Sequence, residues 1–364
     1  IAAAAAGVSF REAMDRAARA VETIAATEDA DVLRREGIDV VDGRAAFLGP
    51  HAIEIDGRRV RGRGFVIATG AAPVVPPIEG LRELDHLTNE DVFGLREPPD
   101  RLAVLGGGAI GCELAQSMAR LGVQVTVLEA MDRLLGPEEP QAAAVILDAL
   151  RADGVDVRLG QRVTRVEATD DRGGARLHTE AGESVEADRV LVAIGRRPVT
   201  DDLAVEKAGV DLTDRGFVRT DERLRTTTPH VYAVGDVTGR LQFTHAADEM
   251  GRVAVDNLTN NRLRQRRFAA AAIPWTTFTD PEVARVGMTE AEAAEHGGRV
   301  AHLPMTEMDR AIVERRTEGF VKLVAGPRRV LGNLAGGRLL GATVGAPRAG
   351  EMVHEAAMAL RAGM

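Results

Sequence analysis

The chain has 364 residues, of which 45% are hydrophobic, so it is long enough to build two or three domains with separate cores. A formal net charge of −9 and the lack of any run of about 18 apolar residues argue against binding to nucleic acid or membrane and favour a cytoplasmic protein. A single cysteine and eight histidines without metal-ligand spacing predict neither an internal disulfide nor a metal site.

The first predicted element is an amphipathic helix near the start of the chain. Apolar residues recur there at helical spacing, at Phe10, Met14, Ala17, Val21 and Ile24. A stripe of this kind is typical of a helix that packs one face against a core. We therefore expect all five side chains to serve packing rather than to line a ligand groove.

Two segments that follow are repeated later in the chain. EGIDVVDGRA at 36–45 is similar to DGVDVRLGQR at 153–162, an offset of 117 residues. FVIATGAAPV at 65–74 is similar to VLVAIGRRPV at 190–199, where the offset has grown to 125. Each copy predicts a strand meander and then an apolar strand that ends in Gly-x-x-Pro. The repeat indicates a duplicated dinucleotide-binding domain.

The segment RLAVLGGGAIGCELA at 101–115 predicts a glycine-rich turn between a buried strand and a helix. Gly106 permits a tight turn, Gly108 lets the backbone approach a pyrophosphate, and Gly111 lets the helix pack on the strand. The next strand, VQVTVL, ends at Glu129, whose carboxylate can accept both ribose hydroxyls of an adenosine. The pattern predicts an NAD(P)H site, and Glu129 favours NADH because its charge would repel a 2′-phosphate.

A third apolar strand is predicted in HVYAVGD at 230–236, and its last residue, Asp236, can accept a sugar hydroxyl. A helix is expected to begin near Thr244, where free N–H groups could stabilise negative charge on a flavin ring. The lone Cys112 lies one turn into the helix after the glycine-rich turn. We interpret it as a small buried hydrophobic residue rather than a nucleophile.

Four ordered motifs, GGGAIGCE, AIGRRP, YAVGD…FTHA and PWTTFTDPEVARVGMTEAEA, resemble the class I pyridine nucleotide–disulfide oxidoreductases. The segments 276–290 and 309–324 look most like the mercuric-reductase branch of that family, with lipoamide dehydrogenases as near relatives. The resemblance implies an α/β fold with two Rossmann-like domains and a C-terminal α+β dimerisation domain. It divides the chain into an FAD domain, 1–98 and 200–265, an inserted NAD(P)-binding domain, 99–199, and a dimerisation domain, 266–364.

The resemblance also implies roles for individual residues. Thr69 and Gly70 would lie against FAD, Asp236 would bind its ribityl chain, and the Thr244 backbone would reach the flavin ring. Glu113 would approach the nicotinamide and act in catalysis. The expected contacts to NAD(P)H come from Gly106, Gly108, Ala109, Ile110, Gly111, Glu129, Val163, Gly195 and Arg196.

In this family a hydride passes from NAD(P)H to FAD and the electrons continue to a redox-active disulfide. The resemblance places that cysteine pair and the first FAD fingerprint upstream of Ile1, and a catalytic His–Glu motif beyond Met364. We therefore expect truncated FAD and dimerisation domains, and a chain that is inactive alone but homodimeric in its full form. The acceptor stays open among Hg(II), lipoamide and another disulfide. An NADH oxidase without a disulfide and a catalytically silent NAD-binding fragment are the alternatives.

Overall fold

The computed structural model describes residues 7–170, 173–260, 264–327 and 337–364. In these residues the helices are α1 Phe10–Glu28, α2 Ala30–Arg35, α3 Ala109–Arg120, α4 Pro140–Ala152, α5 Thr244–Thr259, α6 Glu290–Ala294, α7 Asp309–Glu314 and α8 Ala349–Ala362. The strands are β1 Ala45–Gly49, β2 Ala52–Ile55, β3 Arg58–Arg61, β4 Phe65–Ile67, β5 Ala71–Pro73, β6 Arg101–Leu105, β7 Gln124–Leu128, β8 Asp156–Arg158, β9 Val163–Ala168, β10 Ala175–Thr179, β11 Ser184–Ala187, β12 Arg189–Val192, β13 Arg196–Pro198, β14 Val231–Ala233, β15 Trp275–Thr277, β16 Glu282–Gly287, β17 Arg299–Pro304, β18 Phe320–Gly326 and β19 Arg338–Ala346.

These elements form two compact units. The first, unit 1, contains Ile1–Ala18, Pro73–Gly195 and Ala271–Met364. The second, unit 2, contains Arg19–Ala72 and Arg196–Ala270. The glycine-rich turn and residues 271–364 therefore belong to the same unit.

Unit 1 contains a four-stranded parallel sheet in the order β12-β6-β7-β8. The side chains of Leu102 to Leu105 in its central strand are almost completely buried. Strands covered on both faces read as continuous apolar runs, which is why LAVL and VTVL were recognisable. Helix α3 joins β6 to β7 and places Leu114, Ala115 and Met118 in the same core. The predicted α/β fold is confirmed.

The predicted duplication appears as the same order of strands in each unit. Unit 2 has an antiparallel meander β1-β2-β3, followed by β4, which pairs with β14 in parallel. Unit 1 has an antiparallel meander β9-β10-β11, followed by β12, which pairs with β6 in parallel. In both copies the apolar strand leads into the Gly-x-x-Pro turn.

The C-terminal residues of unit 1 form a five-stranded antiparallel sheet in the order β15-β16-β19-β18-β17. Helix α8 packs on it through Ala349 and Val353, opposite Ala284 and Val344. This α+β arrangement agrees with the expected dimerisation domain. No helix of the described ranges is long and apolar enough to cross a membrane.

The apolar stripe of α1 is buried only over its first turns. Phe10 and Met14 join the core of the parallel sheet, whereas Val21 and Ile24 are 61% and 60% exposed. The expectation that the whole stripe packs in a core is therefore wrong. The helix has 19 residues, which at 1.5 Å per residue gives it a length of about 28 Å, so it continues well beyond the core that its first turns cover.

Candidate cofactor sites

The glycine-rich turn of unit 1 uses its three glycines for different reasons. Gly106 has φ +105°, and a Cβ atom there would lie 2.6 Å from the carbonyl oxygen of Ala193. A Cβ atom at Gly111 would lie 2.0 Å from the carbonyl oxygen of Gly106. At Gly108, φ is −74° and a Cβ atom would meet nothing within 4 Å. The protein itself therefore requires glycine at the first and third positions, whereas at the second the fold leaves open space in which a ligand could approach the backbone.

Helix α3 begins directly after this turn, with Gly108 as the N-cap residue. Because glycine has no side chain that could cap the helix, the backbone N–H groups of Ala109, Ile110 and Gly111 receive no side-chain cap from that residue. Such a terminus favours a phosphate group through its N–H groups and its dipole. The predicted pyrophosphate site at this turn stays a prediction with which the geometry is compatible.

Glu129 lies at the end of β7 and braces the turn. Its Oε2 accepts a hydrogen bond of 2.6 Å from the Gly107 N–H, and its Oε1 accepts one of 2.8 Å from the Met131 N–H. Each carboxylate oxygen can accept more than one hydrogen bond, so acceptor capacity is left for a ribose. The carboxylate thus both shapes the turn and places negative charge beside it.

Glu113 is held by a residue that sequence reasoning did not connect with it. Its Oε1 accepts a hydrogen bond of 2.8 Å from the backbone N–H of Phe278, whose own ring is 62% exposed. Burial raises the pKa of the Glu113 carboxyl above its usual value, and the Phe278 N–H offsets part of that effect. The Glu113 carboxyl group is therefore half-buried, and the Phe278 N–H holds it in place.

A polar network holds the Phe278 segment against α3. Asp280 accepts from Arg120 at 2.9 Å, and its N–H donates to Gln116 at 2.7 Å. Arg120 also pairs with Asp153 at 2.8 Å. The loop between β15 and β16 is thereby fixed on the helix that carries Glu113.

Because ionisation of Glu113 is opposed by burial, its folded-state pKa lies above its unfolded-state value. The free energy of unfolding therefore decreases as the pH rises from the unfolded-state pKa of Glu113 to its folded-state pKa. Above the folded-state pKa it decreases no further on account of this group. Glu113→Gln removes the charge but keeps an oxygen for the Phe278 N–H. We expect its melting temperature, relative to the original protein, to increase from pH 4 to pH 7. The exposed Glu28→Gln is the control in differential scanning calorimetry, and a pH-independent difference would contradict the burial argument.

Cys112 is completely buried beneath the turn, and its Sγ donates to the carbonyl oxygen of Gly107 at 3.4 Å. Burial, followed by the charges of Glu113 and Glu129, raises the pKa of the thiol to about 12. A thiol with such a pKa stays protonated at neutral pH and is a poor nucleophile. This supports its interpretation as a packing residue.

The residues expected to contact FAD lie in unit 2. Asp236 follows β14 and pairs with Arg196 at 3.0 Å. Burial raises the pKa of Asp236, and Arg196 counteracts this effect. Arg196 also donates to the Ala71 carbonyl at 2.6 Å, and the Thr69 hydroxyl donates to the Val199 carbonyl at 2.7 Å. These two hydrogen bonds hold the turn at residues 69–71 against residues 196–199. Gly70, in the middle of that turn, has φ +71°.

Two buried donors in unit 2 have no hydrogen-bond partner among the described residues, Gln242 Nε2 and Arg196 Nε. Buried N–H groups are nearly always paired in proteins, so these atoms suit a bound group that carries acceptor oxygens. Gln242 precedes Thr244, the first residue of α5, whose N-cap Phe243 provides no side-chain cap. The donor set fits the polyol and ring oxygens of a flavin. Sequence reasoning missed Gln242 because it belongs to none of the recognised motifs.

The remaining predicted residues lie in unit 1. Val163 is the first residue of β9 and its side chain is buried in the apolar core, so a contact with adenine would have to use its backbone. Gly195 has φ +131°, and its carbonyl accepts the N–H of Val74. Of the residues expected at the NAD(P)H site, only Arg196 lies in unit 2, where it pairs with Asp236.

A parallel sheet with a glycine-rich turn before a helix, together with a duplicated strand order, is typical of dinucleotide-dependent oxidoreductases. Residues 3–251 match the pyridine nucleotide-disulphide oxidoreductases, and residues 273–364 match the dimerisation domain of the same group. The chain belongs to the pyridine nucleotide-disulphide oxidoreductase family, as its motifs predicted.

Characterised relatives come from two branches of the family. The chain is 35% identical to a mercuric reductase of Staphylococcus aureus over 92% of its own length and 60% of that protein. It is also 35% identical to a dihydrolipoyl dehydrogenase of Haloferax volcanii, over 91% of its own length and 70% of that protein. The chain spans about half the length of a mercuric reductase of Bacillus cereus, with 51% of that protein covered.

Solved structures agree with this assignment. The HOCl-induced flavoprotein disulfide reductase RclA from Escherichia coli superimposes with a TM-score of 0.87 at 33% identity, covering 99% of this chain and 81% of that chain. LpdA from Mycobacterium tuberculosis superimposes with a TM-score of 0.83 at 29% identity, covering 98% and 78%. The fold is therefore that of the flavoprotein disulfide reductases.

Proposed function

We propose that the protein is an FAD-dependent oxidoreductase that uses NADH to reduce Hg(II), with a redox disulfide between flavin and acceptor. The overall reaction is NADH + Hg(II) → NAD⁺ + H⁺ + Hg(0), a two-electron transfer. The observation that carries the proposal is the turn Gly106–Gly111 with an open position at Gly108, set in a chain of this family. The first relatives compared, which are mercuric reductases, favour Hg(II) as the acceptor.

FAD, when bound, would supply the acceptor of the nicotinamide hydride. Asp236, Gln242 and the first turn of α5 at Thr244 would hold it through hydroxyl and ring oxygens, with Thr69 and Gly70 beside it. The Gly106–Gly111 turn would hold the pyrophosphate of the nicotinamide dinucleotide. Glu113 would orient the nicotinamide end, because its carboxyl is fixed by the Phe278 N–H.

NADH rather than NADPH is proposed as the donor. Glu129 carries its charge at the end of β7 and is held there by the N–H groups of Gly107 and Met131. The nearest arginine along the chain, Arg133, donates to the Gly136 carbonyl. A 2′-phosphate would therefore meet a fixed carboxylate, while the Arg133 guanidinium is engaged with a carbonyl oxygen.

A homodimer is proposed for the complete protein, built through residues 266–364. The match of 273–364 to a dimerisation domain supports it. Met352 and Met358 on α8 are exposed apolar side chains that contact with a second copy would cover. We also infer the domain bounds 1–98 with 200–265 for FAD and 99–199 for NAD(P)H, in line with the duplicated strand order.

The test is an assay of the protein, with whatever flanking residues its gene encodes, using NADH or NADPH as donor and Hg(II), lipoamide or oxygen as acceptor. We expect the largest kcat/KM with NADH and Hg(II), and a smaller preference for NADH in Glu129→Gln. Turnover with lipoamide alone would point to a lipoamide dehydrogenase. Turnover with oxygen alone would point to an NADH oxidase, and a colourless, inactive protein would leave a silent nucleotide-binding chain.

A further inference from the structure

Unit 2 contains a cavity at one end of the meander β1-β2-β3 that none of the assigned cofactor residues lines. Its volume is about 630 Å³, which lies within the range of sites for small organic ligands. The lining residues are Leu48, Gly49, Pro50, His51, Ala52, Arg59, Arg61, Gly62 and Arg63. It is a separate feature from the turn at Gly70 and from Asp236.

Strand alternation explains how the sequence RRVRGR at 58–63 builds this cavity. Arg59 and Arg61 lie two residues apart on β3 and therefore project from the same face of the sheet. The register places Ala52 opposite Arg61, so a small side chain lies beside a long one. Gly49 and Gly62 add further positions without side chains, and the space between the arginines is left open.

The other face of the meander packs against the core of unit 2. Phe47 is buried there, and its partner across the β1–β2 ladder, Ile53, packs in the same cluster. Arg59 and Arg61 project from the opposite face of the same strands. A shift of the register by one residue would turn Phe47 and Ile53 to the surface, so the register is fixed. The register therefore sets the face from which Arg59 and Arg61 project.

The turn between β1 and β2 forms a second wall of the cavity. The ring of His51 stacks on the ring of His230, with centroids 4.1 Å apart and an angle of 5° between the planes. His230 Nε2 lies 2.6 Å from the Pro50 carbonyl oxygen. These contacts fix the turn beside the arginines.

No ion pair involving Arg59, Arg61 or Arg63 is present in the part of the chain that the structure describes. Half of the other described arginines of unit 2 form ion pairs, as Arg225 does with Asp221. Glu54 is opposite Arg59 across the β2–β3 ladder, but the three guanidinium groups outnumber this carboxylate, so the cavity is locally positive in a protein with a net charge of −9. Guanidinium groups bind phosphate oxygens in bidentate fashion, so their common ligand chemistry is a phosphorylated anion.

We propose that this cavity binds a small molecule carrying two or more phosphate groups. One phosphate would occupy only a small part of 630 Å³, whereas a di- or triphosphate has more acceptor oxygens and can engage more than one guanidinium group. The site is independent of the proposed oxidoreductase activity. It would make the protein responsive to a phosphorylated metabolite at a surface away from the assigned cofactor residues.

Isothermal titration of the whole chain with inorganic triphosphate tests the proposal. We expect saturable binding to one cavity site that is weakened at least tenfold in the double variant Arg59→Gln/Arg61→Gln, with a smaller loss in each single variant. Arg58→Gln is the control for the single variants Arg59→Gln and Arg61→Gln, because it removes one charge from the same strand at a position that does not line the cavity. Its affinity should change by less than twofold.

Three results would overturn the proposal. They are absence of triphosphate binding, equal losses in Arg58→Gln and in the single Arg59 and Arg61 variants, and binding of orthophosphate or sulfate as tight as that of triphosphate at the same ionic strength. The last two would indicate general attraction of counter-ions rather than a built site. The arginines are exposed, so circular dichroism should report an unchanged fold in every variant.

Discussion

Replacing Lys322 by methionine is expected to lower the free energy of unfolding of unit 1 by about 3–5 kcal/mol, the usual cost of leaving one member of a buried ion pair unpaired. Lys322 is 1% exposed, in the middle of β18. Its ammonium group donates to Glu139 Oε2 at 3.2 Å, to Gln141 Oε1 at 2.9 Å and to Glu290 Oε2 at 2.7 Å. The effect arises because Glu139 is itself 3% exposed and its carboxylate would lose its partner in the protein interior.

The contacts of Glu139 explain why the Lys322 substitution should lower the stability of unit 1 as a whole. Glu139 Oε1 accepts the N–H of Glu290 at 2.6 Å, while Glu139 Oε2 accepts from Lys322. The carboxylate therefore joins the start of α4 to both α6 and β18. Removing the cation weakens a contact between the parallel sheet region and the antiparallel sheet.

Urea denaturation, followed by the fluorescence of Trp275, measures the free energy of unfolding of unit 1. Trp275 is the one tryptophan of the chain and lies in unit 1, where its indole N–H donates to Glu138 at 2.8 Å. Lys207→Met is the control, since Lys207 is the other lysine of the chain and is exposed. A second variant, Lys322→Met with Glu139→Gln, should recover part of the loss. A decrease below about 1 kcal/mol, as for surface pairs, would contradict the buried pairing.

Replacing Gly108 by threonine is expected to raise the dissociation constant for NADH at least tenfold, equivalent to about 1.4 kcal/mol, with little change in stability. A Cβ atom at this position meets nothing within 4 Å in the protein, and its φ of −74° is accessible to any residue. Threonine is also about as good an N-cap residue as glycine. The new side chain would therefore interfere only with a ligand on the turn.

Titration of NADH by its own fluorescence, together with urea denaturation, measures both quantities. Gly94→Thr is the matched control, because Gly94 is an exposed glycine of unit 1 with equally open surroundings. Gly111→Thr should behave differently and lose stability, since its Cβ would lie 2.0 Å from the Gly106 carbonyl oxygen. An unchanged NADH affinity in Gly108→Thr would show that the pyrophosphate does not lie on this turn.

Among the long-range contacts, the pair Arg285 and Glu138 shows how unit 1 is held together. The two charges meet at 2.8 Å and both side chains are buried. The Arg285 guanidinium also stacks over the Trp275 ring at 4.3 Å. Two buried ion pairs, Arg285–Glu138 and Lys322–Glu139, thus join the antiparallel sheet to the start of α4. A rigid connection of this kind would keep Phe278, and through it Glu113, in place.

The amino-acid sequence by itself determined the local elements and the positions of the turns. The strand LAVL, the helix that follows Gly108 and the start of α5 at Thr244 were all predicted within a residue or two. The reason is that periodicity and glycine placement act over a few residues and are written directly in the chain. The duplicated meander was recognisable for the same reason, as was the family through its ordered motifs.

Only the tertiary structure decided which distant side chains meet. Glu113 and Phe278 are 165 residues apart, and Lys322 and Glu139 are 183 apart. No periodic pattern links such pairs, because their contact depends on how sheets and helices pack. The exposure of Val21, the unpaired donor of Gln242 and the arginine cavity at Arg59 likewise depend on what each side chain faces in the folded protein. Local patterns encode backbone conformation, whereas burial and pairing are properties of the packed whole.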